Sequence, residues 1–475
     1  MCQKIFRWAS HFAILFLVYL LVGGALVFLF HRPDGKKYLS QVNAERFLGE
    51  TVGPDKAVII ENGVLSGTSR IYMIENAQDS LQIAYHAIDN GTSSDVFYGV
   101  VLEAAERGVQ VQLLFDSVFH NLRGHERTTY WALVNHPNIT IKFYEPLNLF
   151  NPWTFNNRLH DKFIIVDNTY VIIGGRNIGD RYFVENFQGK IVKDRDVLIY
   201  NTEPDFYHES VLSQFADYFN CLWSHSYTVE KDKTVPVRYQ SEAWQGHKLL
   251  LNNLATVRLE HPESFRDKID WDQYAHPTRK ISLITNPLRR MNKEPWILSE
   301  LNAMFAAAKD SVLIQSPYII PSTHMRSYLG RGQDGVEIYC LTNSKASSPN
   351  YFAISGYLKH RDSIAKQVTE IYEYHGTGSI HAKSYVFDMR LSVVGSFNID
   401  PRSSFLSTES MVVIDSEGFA ENLAQSMTEL ARQSIPYKEE LSLDETKVAP
   451  LPVFWYKTVL IGVLRILLYP FDALL

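Results

Sequence analysis

The sequence predicts an α/β protein built from two duplicated lobes, each a mixed, mainly parallel sheet flanked by helices, with one transmembrane helix ahead of them. Three observations carry that prediction: an uncharged apolar run near the N-terminus, a long self-match between the two halves, and alternating helix and strand signals through each half. At 475 residues the chain exceeds what one hydrophobic core usually supports, so two lobes are expected.

The apolar run comes first. From Phe12 to Phe30 the sequence FAILFLVYLLVGGALVFLF carries no charge, and as a helix it extends about 28 Å, close to the hydrocarbon thickness of a bilayer. Lys4 and Arg7 precede it as they would in a signal peptide, but the run is long and ends in His31-Arg32-Pro33 rather than a small-x-small cleavage site. Residues 1–37 are therefore expected to form an uncleaved single-pass anchor. Basic residues flank both ends, so its orientation is left open.

The duplication follows. Ala77-Gln78-Asp79-Ser80-Leu81-Gln82-Ile83 is echoed by Ala308-Lys309-Asp310-Ser311-Val312-Leu313-Ile314. Each copy leads out of a helical stretch into a strand, and a Gly-Val step then opens a second β-rich run, RGVQVQLLFD or DGVEIYCLTN. The halves match best, without a gap, where HDKFIIVDNTYVIIGGRN (160–177) parallels HAKSYVFDMRLSVVGSFN (381–398). These landmarks place lobe one at 38–235 and lobe two at 277–437. The charged segment 236–276 between them reads as a linker or insertion. Residues 438–475 read as a flexible link and an apolar tail. Lys457, Arg465 and Pro470 interrupt the tail, which disfavours a second span. Trp455 and Tyr456 suit the headgroup level, with Lys457 and Arg465 toward anionic lipid.

The balance of 46 Lys+Arg against 52 Asp+Glu gives a formal charge of −6. No global basic field exists to gather nucleic acid, which is not an expected partner. Three scattered cysteines argue against a disulfide framework or a zinc cluster.

Each long repeat begins with His-x-Lys-x4-Asp. Residues two apart on a strand share a face, so His160 projects with Lys162 and His381 with Lys383. The aspartates lie seven positions after the histidines, an odd offset that turns Asp167 and Asp388 to the other face and gives them a supporting role within the motif. A Gly-Gly or Gly-Ser turn follows, letting backbone approach a ligand closely. Asn177 and Asn398 then offer amide N–H groups to phosphate oxygens. Two symmetry-related histidines can divide a phosphodiester displacement: a neutral imidazole attacks phosphorus and a protonated one gives its proton to the leaving alkoxide. Lys162 and Lys383 neutralise the non-bridging oxygens, so no metal or cofactor is required. Arg176, Arg181 and Arg402 flank the motifs as weaker phosphate candidates, and each is more readily a partner of a nearby aspartate, Asp180 or Asp400. His86, His324 and His375 read as ordinary loop or strand residues.

At these residues the chain resembles the phospholipase D superfamily, and within it the bacterial cardiolipin synthases of the C type, from about Ser66 to Ser434. RLHDKFIIVDNTYVIIGGRNIGDRYF, SIHAKSYVFDMRLSVVGSFNIDPRS and SPYIIP carry the likeness. The resemblance implies that His160 is the nucleophile and His381 the acid, and that an acidic residue beyond each motif orients the histidine. Glu409 fits that pattern, and Asp196 fits it less tightly. It further implies phosphatidyl transfer at the bacterial inner membrane, from phosphatidylglycerol or phosphatidylethanolamine to the hydroxyl of a second lipid. Relatives often carry Tyr-Tyr then Trp or Phe where this chain has Tyr85-His86-Ala87-Ile88, which leaves the donor open. The motifs also admit hydrolysis by a phospholipase D and, against the acidic balance and the apolar termini, a membrane-tethered nuclease.

Overall fold

The computed structural model describes residues 2–31, 37–185, 187–266, 268–329, 332–438, 448–468, 471 and 474. Arg32, Pro33 and Lys36 at the end of the expected anchor, most of the second expected link (439–447) and Pro470 lie outside the described residues.

The N-terminal run is one continuous helix: α-helical over Cys2–Leu21, a π-helical stretch over Val22–Leu26, then α-helical again over Val27–Phe30. Ile5–Phe30 is the one segment long and apolar enough to cross a membrane among the described residues.

The two lobes repeat one plan. Lobe one carries a nine-stranded sheet in the order Ala275–Pro277, Asp55–Ile60, Asp196–Asn201, Tyr170–Gly174, Lys162–Val166, Ser80–Tyr85, Gln110–Asp116, Ile139–Tyr144 and Thr228–Val229. Lobe two carries eight strands: Lys280–Thr285, Ser410–Asp415, Leu391–Gly395, Ser384–Phe387, Ser311–Gln315, Glu337–Asn343, Glu370–Tyr374 and Ser434–Pro436. Both sheets are mixed, but they are not mainly parallel. Only the strands beginning at Ser80, Gln110 and Ile139, and their counterparts beginning at Ser311, Glu337 and Glu370, run parallel to one another. Helical crossovers join those strands, as the helix and strand signals suggest. The motif half of each lobe is instead a meander, because each motif strand turns straight back on its successor.

The motif aspartates make that turn. Asp167 and Asn168 have φ of 50° and 52°, and Asp388 and Met389 have 50° and 49°, with Thr169 N–H and Arg390 N–H closing onto the carbonyls of Val166 and Phe387. Positive φ at both central residues is the hairpin geometry that matches strand twist. The Asp167 carboxylate also accepts from the backbone N–H groups of Gln78, Asp79 and Ser80 at 2.7–2.9 Å. Asp388 does the same for Lys309, Asp310 and Ser311. The short repeat and the long one are thus two ends of a single contact.

Side-chain alternation puts the two sheets back to back. Phe163, Ile165, Val171, Ile173, Val197 and Ile199 face Val386, Val394, Val412 and Ile414 in one core shared by both lobes, while Ile164, Val166, Ile172 and Leu198 face the outer helices of lobe one. The stretch 236–276 contributes to that outer layer. Its helix Gln240–Glu260 lies so close to helix Arg127–Val134 that a Cβ on Gly246 would sit 2.2 Å from the Thr128 carbonyl. In the tail, helix Trp455–Leu467 buries Lys457 and Ile461 on lobe two. Lys457 Nζ donates to the carbonyls of Ala346 and Ser348 at 3.0 and 2.9 Å. It therefore points into protein rather than toward anionic lipid, while Trp455, Val459, Val463 and Ile466 stay exposed.

Candidate active site

Both motifs lie where the lobes meet, and each lobe completes the other. Leu159 pairs with Thr408, and Ser379-Ile380 forms a two-stranded parallel ribbon with Val192-Lys193. Thr408 Oγ1 accepts from His160 N–H at 3.1 Å, and the Lys193 carbonyl accepts from His381 N–H at 2.7 Å. The residue following each of these contacts is acidic. Glu409 Oε2 lies 2.9 Å from His160 Nδ1, and Asp194 Oδ2 lies 2.6 Å from His381 Nδ1. Each histidine is therefore oriented by a carboxylate of the opposite lobe, which fixes Nδ1 as the protonated nitrogen and turns Nε2 toward the cleft.

Asp196, expected to orient a histidine, touches neither. It is wholly buried, accepting from Ser66 at 2.6 Å and from Arg70 and Arg176 at 3.1 and 2.8 Å, and so anchors the first lobe. The sheet register explains the displacement. Gly174 pairs with Asp196 and Gly395 with Met411, so Asp196 corresponds to Met411, and Asp194 corresponds to Glu409. Aligning Asp194-Arg195-Asp196-Val197-Leu198-Ile199 under Glu409-Ser410-Met411-Val412-Val413-Ile414 reveals it in the sequence. Counting from the motifs does not, because the intervening loop is longer in lobe one.

The four motif side chains share one buried, electropositive environment. Lys162 and Lys383 are 0 % and 1 % exposed, and each ammonium donates to the carbonyl of its own motif histidine. Burial pulls Lys162 down to about 7 and Lys383 to about 8, against the opposing pull of Glu409 and Asp194. Burial, then the charges of Lys162, Lys383 and His381, drive His160 well below its ordinary value, so it rests as neutral imidazole. Burial and Lys383 lower His381 less, to about 4, because Asp194 supports its charged form.

The two carboxylates differ in the same sense. Burial would raise both. Asp194 is nonetheless held below the carboxylate range by His381, Lys383 and Arg176, whereas Glu409 is pushed up to about 7 by burial despite Lys162 and a 2.5 Å bond from Ser396 Oγ. Gly175 makes room for this arrangement. A Cβ on Gly175 would meet Asp194 Oδ1 at 2.2 Å. Lobe two has Ser396 at that position, as a hydrogen-bond donor to its own acid.

Asn177 and Asn398 are buried beside the motifs. Asn177 Nδ2 donates to Tyr182 Oη at 3.2 Å, and Asn398 Nδ2 to Ser403 Oγ at 3.4 Å. Arg176 is held by Asp196 and three backbone carbonyls, and Arg181 pairs with Asp89 at 2.9 Å. Arg402 reaches Asn156 Oδ1 and the Leu474 carbonyl, both at 3.3 Å. None of the three is held by the neighbouring aspartate in the sequence.

His86 is more than an ordinary loop residue. Its ring stands edge-on to His160, centroids 4.8 Å apart, and its Nδ1–H donates to the Leu159 carbonyl at 2.6 Å. The signal lies in the register, since Tyr85 pairs with Lys162 and the next residue must emerge at the motif.

Residues 71–223 and 301–431 match the family described as "Cardiolipin synthase, PLD-like domain". The chain belongs to that family. It is accordingly a phospholipid-modifying enzyme, a phosphatidyltransferase of the phospholipase D superfamily. An uncharacterized protein of Helicobacter pylori is 28% identical over 82% of this chain and 81% of its own length. Cardiolipin synthase C of Escherichia coli is 26% identical over 76% of this chain and 82% of its own. The crystal structure of phosphatidylserine synthase from Haemophilus influenzae shares the fold, with a TM-score of 0.59 at 15% identity over 91% of this chain and 99% of that one.

Proposed function

We propose that this enzyme is a cardiolipin synthase that moves a phosphatidyl group onto the hydroxyl of a second phospholipid through a phosphohistidine on His160. The observation that carries this reading is the crossed pair of histidine–carboxylate contacts, with two buried lysines between them. His160 Nε2, neutral, attacks phosphorus. The bond to the leaving glycerol oxygen breaks as His381 Nε2 gives up its proton to that oxygen. In the second half the acceptor hydroxyl returns a proton to His381, its oxygen attacks phosphorus on the same line, and the N–P bond breaks.

The division of roles follows from the carboxylates. An ionised Asp194 favours the protonated His381 that an acid needs, and the strongly depressed His160 supplies a free lone pair. Lys162 and Lys383, destabilised as cations by burial, would be stabilised as cations by the phosphodiester, whose non-bridging oxygens they and the Asn177 and Asn398 amides would hold.

Phosphatidylglycerol is the proposed donor and acceptor, with phosphatidylethanolamine an alternative donor, as the resemblance to C-type cardiolipin synthases implies. The proposed location is the bacterial inner membrane, with Ile5–Phe30 as a single-pass anchor. The decisive experiment incubates the purified protein in detergent with labelled phosphatidylglycerol. Cardiolipin plus glycerol supports the reading. Phosphatidic acid alone would make the enzyme a phospholipase D, and oligonucleotide cleavage without lipid turnover would make it a nuclease.

A further inference from the structure

The N-terminal helix is not free along its whole length. Phe6, Trp8, Phe12 and Leu15 point outward and are exposed, but near Tyr19 the body of the protein meets the helix. Tyr19 Oη donates to the Phe150 carbonyl at 2.6 Å, and the rings of Phe16 and Phe150 lie 6.4 Å apart. A Cβ on Gly23 would stand 2.5 Å from Pro152 Cγ, Asn156 Nδ2 donates to the Gly24 carbonyl at 2.7 Å, and Phe28 is fully buried. At 1.5 Å per residue, Ile5 to Tyr19 is about 21 Å of free helix and Tyr19 to Phe30 about 16 Å of clamped helix. A hydrocarbon core about 30 Å thick cannot be crossed by the free part alone. If the helix spans, the loop that clamps it reaches roughly 9 Å into the hydrocarbon.

That loop suits the depth. Pro146-Leu147-Asn148-Leu149-Phe150-Asn151-Pro152-Trp153 has no ionisable residue, and Leu147, Leu149 and Phe150 are 52%, 52% and 77% exposed. Several of its polar groups are bonded within the segment: Asn148 Oδ1 accepts from Phe150 N–H at 2.9 Å, the Asn148 carbonyl from Asn151 N–H, and the Asn151 carbonyl from Thr154. Tyr19 takes the Phe150 carbonyl. Each such bond lowers the cost of taking this backbone out of water, where an unpaired polar group is expensive. Leu474, like Val27 and Trp153, packs against the cluster that holds Phe28.

We propose that the loop 146–153 is a second membrane-inserted element, buried in the hydrocarbon of the bilayer beside the helix without crossing it. The segment runs directly into His160, so its insertion holds the catalytic cleft at the level of the phosphates. The proposal rests on reading Ile5–Phe30 as a span, and the test separates the two.

Full-length protein carrying Cys2→Ser and Cys221→Ser, with buried Cys340 retained, is reconstituted into vesicles of phosphatidylethanolamine and phosphatidylglycerol. It carries a nitroxide at Leu149→Cys, at Phe12→Cys or at Val237→Cys, the last an exposed site on the body. Relaxation by oxygen is compared with relaxation by a water-soluble nickel chelate. Nitroxides at 149 and 12 are expected to be oxygen-accessible and shielded from nickel, and the one at 237 the reverse. Nickel access at 149 with shielding at 12 overturns the proposal and leaves the span intact. Nickel access at both overturns the span, and the proposal with it.

Discussion

The crossed carboxylate on His381 gives the sharpest prediction, Asp194→Asn. The amide keeps the shape and can still accept the Nδ1–H bond now 2.6 Å long, so the perturbation is the loss of one buried charge. A carboxylate centred about 4 Å from the imidazolium charge is worth about 4 kcal/mol at an effective dielectric near 20. That is a fall of about a thousandfold in kcat if the proton donor must be charged. The pH dependence follows with a definite sign. His381 works as an acid while it holds its proton, so activity declines as pH rises through its pKa in the loaded site. Removing Asp194 lowers that pKa, so the alkaline limb moves to lower pH and the deficit grows with pH. The assay is kcat for cardiolipin formation from labelled phosphatidylglycerol across pH, beside the thermal midpoint. Asp196→Asn serves as the contrast: it should lower the midpoint by disturbing Arg70 and Arg176 and leave the alkaline limb in place. An Asp194→Asn enzyme within about threefold of wild type would refute the assignment, since it would mean an ion-pair term near 0.7 kcal/mol.

Four further outcomes are expected. Rapid quench with labelled donor should trap acid-labile, alkali-stable label on the wild-type protein and none on His160→Ala; label on that variant would move the nucleophile elsewhere. Asp167→Ala, which strands three backbone donors, should cost about 2–4 kcal/mol of stability and leave turnover per folded molecule nearly unchanged, checked by denaturant melts beside active-site titration. Ser396→Ala removes a hydrogen bond to ionised Glu409, so the Glu409 pKa, already about 7, rises further. If ionised Glu409 must support the phosphorylated imidazole, the acidic limb of the profile moves up by about one pH unit. Full activity after EDTA treatment is expected, because lysines neutralise the phosphoryl oxygens in the proposed steps.

Much of the fold was legible because duplication doubles every signal. A strand-turn-strand with His-x-Lys at its start and Asp in the turn, met twice in register, predicts paired lobes and places His160, Lys162, His381 and Lys383 together. The odd offset likewise turns Asp167 and Asp388 off the reacting face, and the hairpins show why: the aspartates supply the positive-φ turn and hold the N–H groups that lead into the neighbouring strand. Sheet direction was not legible, because alternating helix and strand signals describe only the crossover half of each lobe, and the meander that follows has no helix to announce it. Asp194 was missed for a related reason. Its partner is some 187 positions away in sequence, and only the strand register, not the distance from its own motif, identifies it. His86 was missed because its role comes from a cross-strand neighbour.

The duplication also explains how near-identical motifs come to sit in unequal surroundings. Crossing the carboxylates makes each histidine depend on the other lobe, so neither lobe alone holds an oriented imidazole, and the interface has to form for chemistry to begin. Within that constraint the lobes differ at one turn position. Gly175 leaves room for Asp194 to close on His381 as a free carboxylate, flanked by the charges of Lys383 and Arg176. Ser396 ties Glu409 down in a pocket where burial outweighs the neighbouring cations. Asp194 thereby supports the charged form of His381 more than Glu409 supports that of His160, although burial and the lysines leave both imidazoles neutral in the resting enzyme. A symmetric site would give two equivalent histidines, each equally ready to attack or to protonate, and half of the bound donors would meet the wrong partner. In the proposed transfer, that asymmetry would favour His160 as nucleophile and His381 as acid before substrate binds, a form of preorganisation.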